Sequence, residues 1–206
     1  MESTLASAIN RIEKEDQAPL FRETADLMKF IFAIISFKHR NEYNLNNITK
    51  KLDGDKELQF KVSGIPNRDL NLIVLENMIN ACYEDFHEYS QFELIIFSTS
   101  NDKSLIYCDR PFIENVVDGY SFLPLTNKKF IAIRPSLYQS TYTREKSGDQ
   151  FTDSLNSAIA GQSRYWILAD SRELLENYIE EAKSSCAEIE PVYKPVKYLR
   201  EGKTLK

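Results

Sequence analysis

Apolar residues in the first ninety positions recur at helical spacing. Apolar residues at every third or fourth position predict a short amphipathic helix over 4–15. A second helix is predicted over about 20–41, because Pro19 suits a first helical turn and the positions after it are apolar nearly all round. A helix that is apolar nearly all round is typically the most buried one of a fold. A third long helix is predicted over 69–89. The face of the third helix expected to meet the core carries Leu72, Leu75, Ile79, Cys82, Tyr83 and Phe86.

The pattern changes at Phe92 to short runs of β-branched and aromatic residues. Residues 92–98 and 105–109 are separated by polar residues, which predicts a β-hairpin. Further strands are predicted at 120–123, 129–134 and 164–169, and further helices at 151–162 and 171–185.

These elements predict an α+β fold in a single domain over residues 1–190. Residues 1–90 form its helical half and residues 91–190 its sheet-containing half, followed by a basic tail over 191–206. Strands joined by short links favour antiparallel pairing. We therefore expect long N-terminal helices packed on a small, mainly antiparallel sheet of about five short strands.

Composition narrows the classes of function. A net charge of −5 argues against a protein whose main role is to neutralise nucleic-acid phosphates, although a local basic patch is compatible with it. The three cysteines lack the paired spacing of zinc sites, so reduced thiols are expected. The longest apolar run, residues 30–35, is far shorter than the roughly 20 residues that cross a bilayer. We expect a cytoplasmic chain with no membrane partner and with a protein as one possible partner.

Four segments, taken in order, resemble the C-terminal part of a bacterial family, domain of unknown function 4238 (DUF4238). They are an apolar helix ending in arginine, a strand closing on an Asp-containing turn, a Pro-Leu turn with its next strand, and a helix with a Leu-Asn pair. In this chain they correspond to residues 30–40, 106–112, 122–133 and 155–165.

The resemblance implies a fold and a shortlist of residues, and it implies no reaction. Cys108 and Arg110 depart from the residues common in that family. Family members usually begin with a histidine-rich segment of the His-His-Tyr-x-Pro-Gln kind, and nothing similar lies near Met1. The chain is then either a shortened member or a piece whose native protein extends upstream.

The polar shortlist comprises Asp109, Arg110, Asn156, Arg164 and Arg40. Asp109 follows a strand, so its carboxylate is expected first to accept backbone N–H bonds in a turn. Asn156 lies among core-facing residues of a helix and is expected to tie that helix to the turn near Asp109. Arg164 or Arg40 is expected to pair with Asp109. Contact with a ligand is the alternative for each of them.

Three carboxylates support a second interpretation. Asp109, Glu114 and Asp118 are weak candidates to hold a divalent cation, because their spacing is generic. No other cofactor is predicted. The pattern over residues 136–150 predicts a polar loop in which Tyr138, Tyr142 and Arg144 suit a binding surface about as well as they suit an ordinary loop.

The leading functional hypothesis is a binding or interaction module without complete catalytic machinery. The first alternative is a metal-dependent hydrolase of phosphodiesters or nucleotides, with a role in defence as one setting. The second is nucleic-acid contact through the basic tail together with Lys128, Lys129 and Arg144, which the net charge makes the weaker option.

Overall fold

The computed structural model describes residues 2–14, 24–39, 67–185 and 190–193. In this part of the chain the helices are α1 Glu2–Lys14, α2 Thr24–His39, α3 Asn67–Glu88, α4 Asp149–Gln162 and α5 Arg172–Ser185. The strands are β1 Phe92–Ser98, β2 Tyr107–Cys108, β3 Ile113–Val117, β4 Tyr120–Thr126, β5 Lys129–Pro135, β6 Thr141–Lys146, β7 Trp166–Ala169 and β8 Glu190–Tyr193. The predicted α+β class, with a mainly antiparallel five-stranded sheet, is confirmed.

The chain divides into two compact units, within each of which most contacts are made. The first unit comprises residues 1–8 and 19–90, and the second comprises residues 9–18 and 91–206. Among the described residues, no helix combines the length and the apolar character needed to span a bilayer.

In the first unit, α2 packs against α3. Every residue of α2 from Phe30 to Ser36 except Phe32 is buried, which confirms the prediction of a helix buried nearly all round. The half-buried ring of Phe32 lies 5.0 Å from that of Tyr83 and 5.4 Å from that of Phe86, measured between centroids. Aromatic contacts at such distances stabilise a pair by about 0.5–1.5 kcal/mol beyond the burial of area.

The buried face of α3 agrees with the predicted one only in part, since Tyr83 and Phe86 of the predicted set contact Phe32 of α2. Val74, Met78 and Cys82 are buried, and only Cys82 belongs to the predicted set. Apolar residues occupy two neighbouring stripes of this helix, and periodicity alone cannot tell which stripe is buried more deeply. The second stripe is exposed and consists of Leu72 at 55% exposure, Leu75 at 47%, Ile79 at 43% and Tyr83 at 52%.

An ionic contact joins the two helices near the end of α2. The Asp85 carboxylate lies 2.7 Å from Lys38 Nζ and 2.9 Å from His39 Nε2. Burial disfavours the ionised form of Asp85, but hydrogen bonds from Lys38 and His39 together outweigh it and lower the pKa of this carboxyl. His39 therefore binds a carboxylate of α3 in addition to lying at the predicted helix terminus.

The second unit is built on a sheet in the order β3-β4-β5-β1-β6. β1 pairs antiparallel with β5 on one side and parallel with β6 on the other. The chain leaves β5, crosses the start of β1 through residues 136–140 and enters β6 opposite Glu93. Because β1 and β6 run in the same direction, both end at one edge of the sheet, at Ser98 and Lys146.

Three predictions about strands were wrong or incomplete. The proposed hairpin between 92–98 and 105–109 does not form, because β2 pairs with β7 in a separate sheet of order β2-β7-β8. The predicted polar loop over 136–150 contains β6 and the start of α4. The predicted tail from residue 191 contains most of β8, which pairs parallel with β7.

The core of the second unit joins the sheet to α4 and α5. Aromatic rings of three strands and one helix meet there, with centroid distances of 5.0 Å for Phe97–Phe130, 5.9 Å for Phe130–Phe151 and 5.5 Å for Phe122–Phe151. Even-numbered residues of β1 face away from these rings, because successive side chains of a strand alternate between its two faces.

Candidate functional site

Asp109 is a buried residue that connects β2 with the start of β7. Its side chain is 7% exposed, and Oδ1 accepts hydrogen bonds from three consecutive backbone N–H groups, those of residues 164–166, at 3.0, 3.1 and 3.4 Å. Asp109 was expected first to accept backbone N–H groups in a turn. It does accept backbone N–H groups, but the donors lie in a distant segment of the chain. The other oxygen, Oδ2, is buried and has no hydrogen-bond partner among the described residues.

Both the oxygen and the nitrogen of the Asn156 side-chain amide form hydrogen bonds with the backbone. The side chain is 1% exposed, Oδ1 accepts from the N–H of Ile106 at 3.0 Å, and Nδ2 donates to the carbonyl of Ser104 at 2.9 Å. The amide thus ties α4 to the segment that leads into β2. This is close to the predicted tie near Asp109, and its geometry is that of a structural residue.

The arginines of the shortlist lie around the same segment. The contact between Asp109 and Arg164 runs through the backbone N–H of Arg164, while its guanidinium donates to the carbonyl of Ser163 at 3.0 Å. The carbonyl of Arg110 accepts from the side-chain amide of Gln162. Arg40 lies outside the described residues, so its predicted pairing stays a prediction.

The three candidate metal ligands have different surroundings. Asp109 is buried, whereas Glu114 in β3 and Asp118 in the β3–β4 turn are exposed, the latter with a φ of 50°. Within the described ranges, no group of three or more His, Cys, Asp or Glu side chains could hold a metal ion. The metal hypothesis gains no support from this part of the chain.

A cleft lies where β1 and β6 end together. Its volume is about 650 Å³, and we call it the loop cleft. Volumes of about 300–1,000 Å³ are typical of sites for small molecules. It is lined by Ile96, Ser98, Thr99, Ser100, Asn101, Arg144, Glu145, Lys146 and Ser147.

Two cations of the loop cleft come from one face of β6. Arg144 pairs in register with Ile96 and Lys146 with Ser98, so the four side chains share a face of the sheet. The Nε of Arg144 donates to the hydroxyl of Tyr142 at 2.8 Å. In the described part of the chain, no carboxylate pairs with Arg144 or Lys146.

The residues from 99 to 106, between β1 and β2, are held by the β4–β5 turn. Lys128 Nζ donates to the carbonyls of Asn101 at 2.9 Å and Lys103 at 2.6 Å. The backbone N–H of Thr99 donates to the carbonyl of Lys128 at 2.9 Å. Lys128 therefore fixes this loop and also brings a positive charge to it, since none of its described contacts is with a carboxylate.

The hydroxyl groups around the loop cleft differ in their bonding. Thr99 Oγ1 donates to the carbonyl of Lys103 at 2.9 Å, and Ser147 Oγ lies 3.1 Å from Thr152 Oγ1. Ser100 Oγ, in contrast, is buried and has no hydrogen-bond partner among the described residues. A buried hydroxyl without a partner is uncommon in folded proteins and calls for an explanation.

Sequence reasoning found part of this site. It singled out Arg144 and Tyr142 as residues of a binding surface, and it noted Lys128 as part of a basic patch. It missed Lys146, because 136–150 was interpreted as one loop, and it missed Ser100, because 99–103 was interpreted as the loop of a hairpin. The alternation of threonines with Tyr142, Arg144 and Lys146 was the available signal for a strand with one polar, cationic face.

Comparisons with known proteins return no relative. No protein-family model, no curated protein and no solved structure matches this chain. The resemblance to DUF4238 therefore stays a prediction.

Proposed function

We propose that this chain is a binding module without complete catalytic machinery, and that the loop cleft is its binding site. The observation that carries the proposal is the group of cationic and polar side chains in the loop cleft that have no carboxylate partner among the described residues. By comparison, Asp109 Oδ1 and the Asn156 amide bond to backbone groups in the segments that lead into β7 and β2, while Asp109 Oδ2 has no partner among the described residues. Around the loop cleft, two cations without carboxylate partners among the described residues and one buried hydroxyl without a partner there lie together.

This contrast separates structural polar residues from those that remain available. Asp109 Oδ1 has a structural role, because it accepts three backbone N–H groups. Arg144, Lys146 and the hydroxyl of Ser100 line a cleft of about 650 Å³ and make no hydrogen bond to the backbone or to a carboxylate among the described residues. They are the groups that would fix the orientation of a ligand.

Ligand-observed NMR on the purified chain tests binding. A panel of common metabolites is screened by saturation transfer, and each hit is mapped by its effect on backbone amide resonances. We expect hits that move the amides of 98–101 and 144–147. Hits that all map to other surfaces would contradict the assignment of the site.

A turnover assay tests the absence of catalysis. The chain is incubated with Mg²⁺ or Mn²⁺ and bis-p-nitrophenyl phosphate, and we expect no hydrolysis above the metal-only background. Asp109→Asn and Glu114→Gln are the matched variants, since the asparagine side chain keeps an oxygen that accepts the N–H groups of residues 164–166. Robust hydrolysis that either variant abolishes would overturn the proposal in favour of a metal-dependent hydrolase.

A further inference from the structure

We infer that the loop cleft binds the phosphate group of a small molecule, an inference that rests on the proposed function. The charge of the lining residues favours an anion. Among the nine lining residues, Arg144 and Lys146 are cationic and Glu145 is the one carboxylate. Arg144 and Lys146 lie two positions apart on one face of β6, so both charges act on the same side of the sheet.

Glu145 does not neutralise this pair. It lies between them in β6 and pairs in register with Phe97, so strand alternation places its side chain on the opposite face. That face carries the Tyr120 hydroxyl, which donates to Glu93 at 2.7 Å. The negative charge of Glu145 is one of the contributions that raise the pKa of Tyr120, after burial and the bond to Glu93, as expected if they share a face.

The donors on Arg144 have a geometry that suits a phosphate. Its Nε is occupied by Tyr142, which also lies on this face, and the guanidinium carbon lies 6.0 Å from the centre of the tyrosine ring. This contact holds the guanidinium in place and leaves its two Nη groups for a ligand. A planar guanidinium with two parallel donors matches two oxygens of a phosphate.

The hydroxyl of Ser100, a residue that lines the cleft, is shielded from solvent and has no partner among the described residues. A buried hydroxyl without a partner is unfavourable, and rotation of this side chain toward an acceptor oxygen in the cleft would remove the penalty. A phosphate offers acceptor oxygens in several directions, so one group can meet a guanidinium, an ammonium and a hydroxyl together. Lys128 holds the carbonyls of the same loop, which reduces the ordering that binding would require.

The size of the cleft points to a small molecule as the source of the phosphate. A volume of about 650 Å³ accommodates a ligand of nucleotide size. The net charge of −5 opposes the long-range attraction of a polyanion such as nucleic acid, while a local pair of cations still attracts a single phosphate.

The test is a titration followed by backbone amide NMR at constant low ionic strength. Inorganic phosphate and adenosine monophosphate are the probes, with sodium chloride as the ionic control. We expect phosphate, and more tightly the monophosphate, to shift the amides of 98–101 and 144–147, and chloride to leave them in place. Arg144→Gln is expected to weaken monophosphate binding at least about tenfold, and Ser100→Ala about threefold to tenfold.

Matched controls separate the site from general charge. Arg172→Gln and Lys29→Gln each remove one exposed cation that pairs with a carboxylate on its own helix, and neither residue lines the loop cleft. Both are expected to leave the affinity unchanged. Equal weakening by Arg172→Gln and Arg144→Gln would overturn the inference, as would amide shifts that Arg144→Gln does not alter. The dispersion of the amide spectrum shows whether each variant is folded.

Two further outcomes are informative. A decamer of thymidine that binds much more tightly than the monophosphate would overturn the small-molecule source and identify nucleic acid as the source of the phosphate. A neutral or cationic metabolite that shifts the same amides, with no response to phosphate, would overturn the phosphate inference while the proposed binding function stands.

Discussion

At the scale of single residues, some buried polar side chains form hydrogen bonds with the backbone and others do not. Asn156 is the clearest structural case, because its amide supplies one acceptor and one donor to two backbone groups of the same segment. Its role was predictable, since an amide among core-facing residues must find partners. The identity of those partners was not predictable, because they lie in a remote segment of the chain.

Replacement of Asn156 by Asp is expected to destabilise the second unit by about 2–4 kcal/mol at pH 8. A carboxylate at this position still accepts from Ile106 but meets the carbonyl oxygen of Ser104 without a donor. Burial then raises the pKa of the new carboxyl above its unfolded value of about 3.9. Its protonated form can donate to Ser104, so the loss is smallest at or below about pH 4 and grows as the pH rises toward the folded pKa.

Urea unfolding at pH 5 and pH 8, followed by the fluorescence of Trp166, the single tryptophan, measures this change. Asn156→Leu is the control, because it removes both hydrogen bonds and adds no titratable group. The aspartate variant should lose more stability at pH 8 than at pH 5, and the leucine variant should lose the same amount at both. A pH-independent loss for the aspartate variant would show that its carboxyl does not face the Ser104 carbonyl.

At the scale of elements, the long and strongly periodic segments were predicted well. The strands β1 and β5 and the helices α4 and α5 were predicted within a few residues. The failures concern pairing and orientation: the partner of β2 and the face that α3 buries. Both depend on surfaces contributed by remote segments, about which a local pattern carries no information. β6 was missed because its outward face is polar.

A lysine substitution is expected to lower stability much more in the buried apolar stripe of α3 than in the exposed one. Met78→Lys places an ammonium group in a buried position and is expected to destabilise the first unit by about 3 kcal/mol or more. Ile79→Lys affects a residue that is already 43% exposed and is expected to change stability by less than about 1 kcal/mol. Urea unfolding followed by circular dichroism compares the two. Equal losses would show that both stripes are covered in solution.

At the scale of the whole molecule, the fold class was predictable and the location of the cleft was not. Composition and periodicity were enough for an α+β chain with a mainly antiparallel sheet. The loop cleft, however, depends on β6 running parallel to β1, which brings residues 98–101 and 144–147 together. A connection that crosses one end of a strand leaves no signature in the local sequence.

The two units offer separate reporters of unfolding in their buried cysteines. Cys82 lies in the first unit and Cys108 in the second, and burial raises the pKa of the Cys108 thiol to about 11, so it stays protonated at pH 8. Pulses of iodoacetamide in increasing urea, with mass spectrometry of the labelled peptides, give a midpoint for each cysteine. Met78→Lys should lower the midpoint at Cys82 more than at Cys108, and Asn156→Leu the reverse. Equal shifts at both cysteines would show that the chain unfolds as one cooperative unit.

The central position of β1 has a consequence during synthesis. β1 leaves the ribosome before β5 and β6, yet these later segments, residues 129–135 and 141–146, are the neighbours with which it pairs. Both edges of the apolar segment Phe92–Phe97 therefore stay unpaired until β5 has been translated, roughly forty residues later, and one edge stays unpaired until β6 follows, roughly fifty residues later. This takes on the order of seconds. Over that interval the nascent chain carries an exposed, strand-forming segment of the kind that chaperones shield.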